Sequence, residues 1–151
     1  MVKGLNVNNE SGFQINKRLV HKIVSLLSKQ MEFEILFLQI NFVSSKYILW
    51  LNKNYLNHDF YTDIITFNYS GENYKFDGEI FICIETAKQN AEKYGVTLNE
   101  EILRLIIHGL LHLKGYEDKT VNEKRKMRKL ENKFLDNTKF LIKGNKITHD
   151  S

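Results

Sequence analysis

Apolar residues recur along this chain with two different periods, and the switches between them lay out its elements. From Ile15 to Lys29 the positions Ile15, Leu19, Ile23, Leu26 and Leu27 fall at helical spacing, which predicts an amphipathic helix. Glu34 to Phe42 predicts a strand carrying Leu36, Leu38, Ile40 and Phe42 on one face. Ser44 or Ser45 can cap a short helix through Tyr47, Leu49 and Leu51 that ends near Tyr55. Ile64 to Tyr69 is β-branched and aromatic and suits a strand, Ser70-Gly71-Glu72-Asn73 suits a turn, and Glu79 to Ile84 predicts another strand. Thr86 to Tyr94 predicts a helix closed by Gly95.

The next segment is the most apolar. Thr97-Leu98-Asn99-Glu100 has the form of a capping box, with Thr97 as N-cap and Glu100 three residues on. It opens a helix expected to run to about Lys114 and stop at Gly115. Ile102, Leu103, Leu105, Ile106, Ile107, Leu110, Leu111 and Leu113 cover nearly every face of that helix, which marks it as buried. A last helix is expected from about Val121 to Asp136, burying Val121, Met127, Leu130 and Phe134, and Lys139 onward reads as a short, polar, frayed tail. No repeat, low-complexity segment or linker interrupts the chain. The expectation is one compact α+β domain over residues 1–151, a small sheet packed on a buried central helix.

Polar residues inside the apolar helix change the picture. His108 and His112 stand at i and i+4, one above the other on a helix face, so both rings can reach one metal ion. With 5 His in 151 residues the bare spacing arises readily by chance, and a hydrogen-bonded structural pair is the rival reading. Burial favours the metal, because an unsatisfied polar group in a core costs a few kcal/mol. Gly115 lets the chain reverse after the helix, and Glu117 and Asp118 follow at once. Two histidines and a turned-back carboxylate, with a position left for water, form the donor set of a hydrolytic metal centre. The residue after the first histidine is Gly109, where metalloproteases of the H-E-x-x-H type place their general base, which argues against peptide hydrolysis.

The segment from His108 to Tyr116 resembles the H-G-x-L-H-L-x-G-Y-D-H signature of the YbeY-type bacterial endoribonucleases, the rRNA maturation factors. His108, Gly109, Leu111, His112, Leu113, Gly115 and Tyr116 match it. Leu51-Asn52-Lys53-Asn54-Tyr55 and Thr62-Asp63-Ile64-Ile65-Thr66-Phe67 resemble the family's L-N-x-x-Y and T-D-V-L-S-F segments, and Gly78 to Cys83 resembles its G-D-I-x-I strand. The resemblance implies a mixed sheet of about four strands, with the metal at the mouth of a cleft. It also implies a metal-dependent, single-strand-specific endoribonuclease that matures ribosomal RNA at the 3′ end of the small-subunit RNA. By position it makes Asp118 the third metal ligand, where the family usually has a histidine, so the expected site is His108, His112 and Asp118 holding one Zn2+ or another divalent transition metal. Thr62 and Asp63 are expected to line the substrate groove, and Glu117 is the nearest carboxylate for a general base. Two further departures are Leu56, where the family usually carries an arginine, and Tyr61, where a proline is common. Lys53 or Arg104 could stand in for that arginine.

Charge and composition fit this picture. A net charge of +4 hints at an anionic partner, and its placement says more. Between Lys119 and Lys133 lie Lys119, Lys124, Arg125, Lys126, Arg128, Lys129 and Lys133 against only Glu123 and Glu131. By charge alone that run is a solvated helix face. Next to a hydrolytic site, Lys124, Arg125 and Arg128 become candidate RNA phosphate contacts. The expected partners are ribosomal RNA and the ribosomal subunits, with no membrane. No apolar run approaches the ~20 residues of a membrane span, the start lacks a signal-peptide pattern, and Cys83 is alone, so the cytoplasm is expected. His21, His58 and His149 lie outside any motif, and Asn52 and Asn54 are expected at the surface. The rival functions are a metal-stabilised RNA-binding assembly factor without turnover and a metalloprotease-like hydrolase.

Overall fold

The computed structural model describes residues 1–57 and 62–149. His58 and Tyr61 therefore lie outside the described residues. In chain order the elements are β1 (Leu5–Asn9), α1 (Lys17–Met31), β2 (Glu34–Val43), α2 (Ser45–Tyr55), β3 (Ile64–Asn68), β4 (Lys75–Cys83), α3 (Ile84–Tyr94), α4 (Leu98–Leu113) and α5 (Val121–Thr138), followed by a 3-10 turn at Lys139–Ile142. The strands form one mixed sheet in the order β1-β2-β4-β3, with β1, β2 and β4 parallel and β3 antiparallel to β4.

One sheet face carries the main core. Leu38, Ile40, Phe42, Ile80 and Ile82 meet α1 and α4 there, and α4 contributes Ile102, Leu103, Ile106, Ile107 and Leu110. The other face is covered at one end by α2, where Ile48 and Leu51 pack on Ile65, Phe81 and Cys83. β3 is thus an edge strand with two different faces. Ile65 and Phe67 turn toward α2, while Ile64, Thr66 and Asn68 line the cleft beside α4. α4 can approach β4 closely because of Gly109. A Cβ there would lie 2.8 Å from Ile80 Cδ1.

Several sequence expectations need correction. The pattern gave no sign of β1, whose short Leu-Asn-Val-Asn-Asn run becomes a strand by pairing with Leu38–Phe42. Leu36 is not on the buried face of β2. The pairing with β4 shifts between Ile35 and Phe37, and this bulge leaves Leu36 exposed. β4 begins at Lys75, ahead of the expected Glu79. Val121 is exposed and Leu130 only half-buried; α5 buries the expected Met127 and Phe134 together with Glu131, Leu135 and Thr138. Asn52 is buried. The tail is docked rather than frayed: Ile147 is fully buried, and the Asn99 side chain and the Thr148 backbone exchange hydrogen bonds of 2.8 and 3.0 Å. The buried His21 accepts a 3.1 Å hydrogen bond at Nδ1 from the Val2 backbone, a structural role.

Candidate metal centre

Local signals place both histidines. The Thr97 hydroxyl accepts from Glu100 N at 3.1 Å and fixes the start of α4, so His108 and His112 fall on the stripe facing β3. The helix stops at Gly115, whose φ of 105° belongs to the left-handed region that glycine enters without strain. Gly115 N and Tyr116 N donate back to His112 O and Leu111 O at 3.0 and 3.1 Å. The reversed chain then carries Asp118 over the histidines. Thr120 and Glu123 start α5 with a full capping box, a signal the sequence held and the periodicity passed over.

The three donor atoms converge. His108 Nε2 and His112 Nε2 are 3.0 Å apart, and Asp118 Oδ2 lies 3.4 and 3.6 Å from them. A tetrahedral ion at 2.0–2.2 Å from each ligand requires donor separations of about 3.4 Å. The observed triangle fits that requirement. These three residues are also the one group among the described residues whose donors gather closely enough for a metal. Both histidines are half-buried rather than fully buried.

The support behind His108 was not anticipated. Its Nδ1 lies 2.5 Å from Glu131 Oε2, and Glu131 is 5% exposed. Because a carboxylate can only accept there, Nδ1 carries the proton and Nε2 is left with its lone pair toward Asp118 and His112. The other Glu131 oxygen accepts from Arg104 Nη1 at 3.2 Å, and that nitrogen also donates to Asn132 Oδ1 at 3.3 Å. The sequence signal was there to read: Glu131 sits between Met127 and Phe134 on the buried stripe of α5, where an unpaired charge has no place. Burial opposes protonation of His108, but the hydrogen bond and charge of Glu131, then Asp118 and Asp63, outweigh it and hold this imidazole above its ordinary value. Burial, then the charge of His108, holds His112 below its ordinary value.

The cleft around this centre has two adjoining lobes that share Asp63, Ile64, His108 and Asp118. One, of about 460 Å³, includes Thr62, Thr66 and Glu117. The other, of about 540 Å³, includes Asn90, Glu101, Arg104, Arg128 and Glu131. Of the sequence candidates, Thr62, Asp63, Glu117 and Arg128 are brought to the cleft. Lys124 and Arg125 are exposed on α5 and line neither lobe. Leu56 lines neither lobe either, whereas Arg104 and Arg128 do, so the cleft has guanidinium groups of its own. Arg104 is tied to Glu131, while the Arg128 side chain is 66% exposed and 3.9 Å from the same carboxylate.

Glu101 is the other buried carboxyl the sequence reading missed. Burial, then the charge of Asp63, pushes it up to about 7 from an ordinary 4.5, against the pull of Arg104. Between those values the folded protein keeps a proton on Glu101 that the unfolded chain has lost, so the contribution of this group to stability falls as pH rises from about 4.5 to about 7 and then levels. On metal-free protein, Glu101→Gln is expected to remove the Glu101 share of that slope, leaving those of Asp63 and His108, and to raise stability at pH 8 by up to roughly 3 kcal/mol. Thermal unfolding of both proteins at pH 5 and pH 8 checks this: equal shifts for the two would show that Glu101 does not cause the slope.

A buried helix bearing two histidines, met by a carboxylate on the returning chain at the mouth of a cleft, defines a small α+β metal-dependent hydrolase. The family model described as Endoribonuclease YbeY matches residues 6–139. The Endoribonuclease YbeY of Cytophaga hutchinsonii is 40% identical over 132 residues, covering 87% of this chain and 92% of that protein. That of Bacteroides thetaiotaomicron is 46% identical over 94 residues, covering 62% and 68%. A solution structure of a protein from Thermotoga maritima shares the fold with a TM-score of 0.67 at 25% identity, covering 93% of each chain. The chain belongs to the YbeY endoribonuclease family.

Proposed function

We propose that this protein is a metal-dependent endoribonuclease that cuts single-stranded RNA and serves ribosomal RNA maturation, including the 3′ end of the small-subunit RNA. The observation that carries this reading is the donor triangle of His108, His112 and Asp118 at the mouth of a cleft. A zinc ion, or another divalent transition metal, held there would polarise a phosphoryl oxygen and make a water more acidic. The rest of the chemistry falls to the chain. Glu117, exposed beside Asp118 in the smaller lobe, is placed to take the proton of a water attacking phosphorus. Thr62 and Asp63 shape the floor under the sugar-phosphate backbone. Arg128 offers a guanidinium to a neighbouring phosphate, and Lys124 and Arg125, one turn back on α5, extend that basic strip away from the cleft.

A peptide-cleaving role lacks its base, since Gly109 stands where a metalloprotease needs a glutamate and is packed on Ile80. Ribosomal subunits are the proposed site of action and the cytoplasm the proposed compartment. No helix among the described residues is long and apolar enough to cross a membrane. The test is cleavage of an unstructured RNA, its duplex and an unfolded protein, each with and without chelator. Chelator-sensitive cleavage of the single strand alone is expected, and replacing Lys124, Arg125 and Arg128 by glutamine should flatten the salt dependence of RNA affinity by about one unit of slope per lost phosphate contact. RNA affinity without any cleavage would instead favour a non-catalytic assembly factor.

A further inference from the structure

The larger lobe extends well past the metal ligands. Along α4 it reaches from His108 back to Glu101, two helical turns or about 10 Å. Its wall at that end is made of carboxyl and amide groups. Glu101 is 5% exposed and faces the lobe, and its ion-pair partner Arg104 lies at 3.9 Å, too far for a hydrogen bond. Arg104 spends its Nη1 on Glu131 and Asn132. Opposite, Asp63 Oδ2 accepts from Asn90 Nδ2 at 3.0 Å. Ile64, Val96 and Leu105 supply apolar lining, and Tyr94 stands at the rim with its side chain largely exposed.

These surroundings select against a phosphate. An anion passing the exposed Arg128 into that end of the lobe would meet Glu101 and Asp63, and Arg104 is already engaged by Glu131 and Asn132. A flat, uncharged ring with N–H donors on its edge meets apolar walls, an aromatic side chain and an open carboxyl acceptor. We propose that this lobe is a nucleobase subsite next to the scissile phosphate, in which Glu101 accepts a hydrogen bond from a base bearing an exocyclic amine and Tyr94 stacks on its ring. Cytosine, adenine and guanine offer such an N–H, whereas uracil turns carbonyl oxygens toward the carboxylate on both sides of its single ring N–H. The inference rests on the endoribonuclease reading and adds to it which strand positions are cut.

The experiment compares two unstructured oligonucleotides, oligocytidylate and oligouridylate, as cleavage substrates for the metal-loaded protein at pH 8. One good base pairing of this kind discriminates by roughly 5–150-fold. The wild-type ratio of kcat/KM, cytidine over uridine, is expected to be at least about fivefold by that measure. Glu101→Leu, which keeps an apolar-compatible residue at this buried position, should bring the ratio close to unity. Tyr94→Ala should weaken both substrates and leave their ratio alone. Because each ratio is taken within one protein, a partly unfolded variant does not distort it. Fluorescence anisotropy with the same labelled oligonucleotides in the presence of chelator reads the preference if a variant, or the wild type, does not cleave. A wild-type ratio within twofold of unity in both measurements, or an unchanged ratio in Glu101→Leu, overturns the base subsite. Cleavage of both oligonucleotides without preference would overturn it while leaving the endoribonuclease reading standing. Base-selective binding without chelator-sensitive cleavage would do the reverse.

Discussion

Replacing Asp118 by alanine should strip the protein of its metal and, with it, of ribonuclease activity. Asp118 supplies the third corner of a triangle whose other two corners lie on one helix. Without it, two imidazoles 3.0 Å apart offer a dication only two donors and no negative charge. Loss of an outer-shell partner typically costs 10–100-fold in metal affinity, and loss of a direct ligand should exceed that. The side chain is 39% exposed and sits in the connection between α4 and α5, so fold stability should change little. Elemental analysis of untagged wild type should give about one equivalent of metal per chain, and of Asp118→Ala little. Asp118→His, which restores the residue usual in the family, should keep the metal. Retention of a full equivalent by the alanine variant would sink the assignment, and Glu117, one residue away, would become the ligand to test.

How much of this was visible in the sequence depends on whether the signal was local. The His108–His112 spacing, the Thr97 cap and the Gly115 stop all act within one or two turns, and each appears in the structure where the pattern put it. β1 escaped notice because its five residues become a strand only against β2, some thirty positions away. Leu36 fits an alternating pattern on paper, but the bulge that turns it outward exists only in the pairing with β4. The docking of the tail rests on Asn99 and Thr148, again a distant pair. The basic run of α5 shows a different limit. A count of charges cannot say which ones face a cleft, and of Lys124, Arg125 and Arg128 only Arg128 does. Most informative were residues that broke a pattern. Glu131 on the apolar stripe of α5 and Glu101 on the buried helix α4 were local anomalies, and each proved to lie beside the candidate metal ligands or their cleft.

Glu131 carries the second large prediction. His108 can present Nε2 to a metal only while Nδ1 holds the proton, and Glu131 Oε2 at 2.5 Å is the acceptor that keeps it there. Arg104 in turn pins the other oxygen, so the carboxylate cannot rotate away. Glu131→Ala removes the acceptor and leaves Arg104 with only Asn132 and the 3.9 Å ion pair to Glu101. Two effects should follow together. Metal affinity, read by competition with a chromophoric chelator on folded protein, should fall about 10–100-fold. Stability should fall by about 1–3 kcal/mol from the two hydrogen bonds lost at His108 and Arg104. Glu131→Gln is the intermediate case, because its single amide oxygen can accept from Nδ1 or from Arg104 but not from both, its NH2 faces the other donor, and the negative charge is gone. It should fall between wild type and Glu131→Ala in both stability and metal affinity. Affinity unchanged in Glu131→Ala would mean that the ring of His108 is oriented by packing against α4 and β3 alone, and Glu131 would then be only a counterion for Arg104.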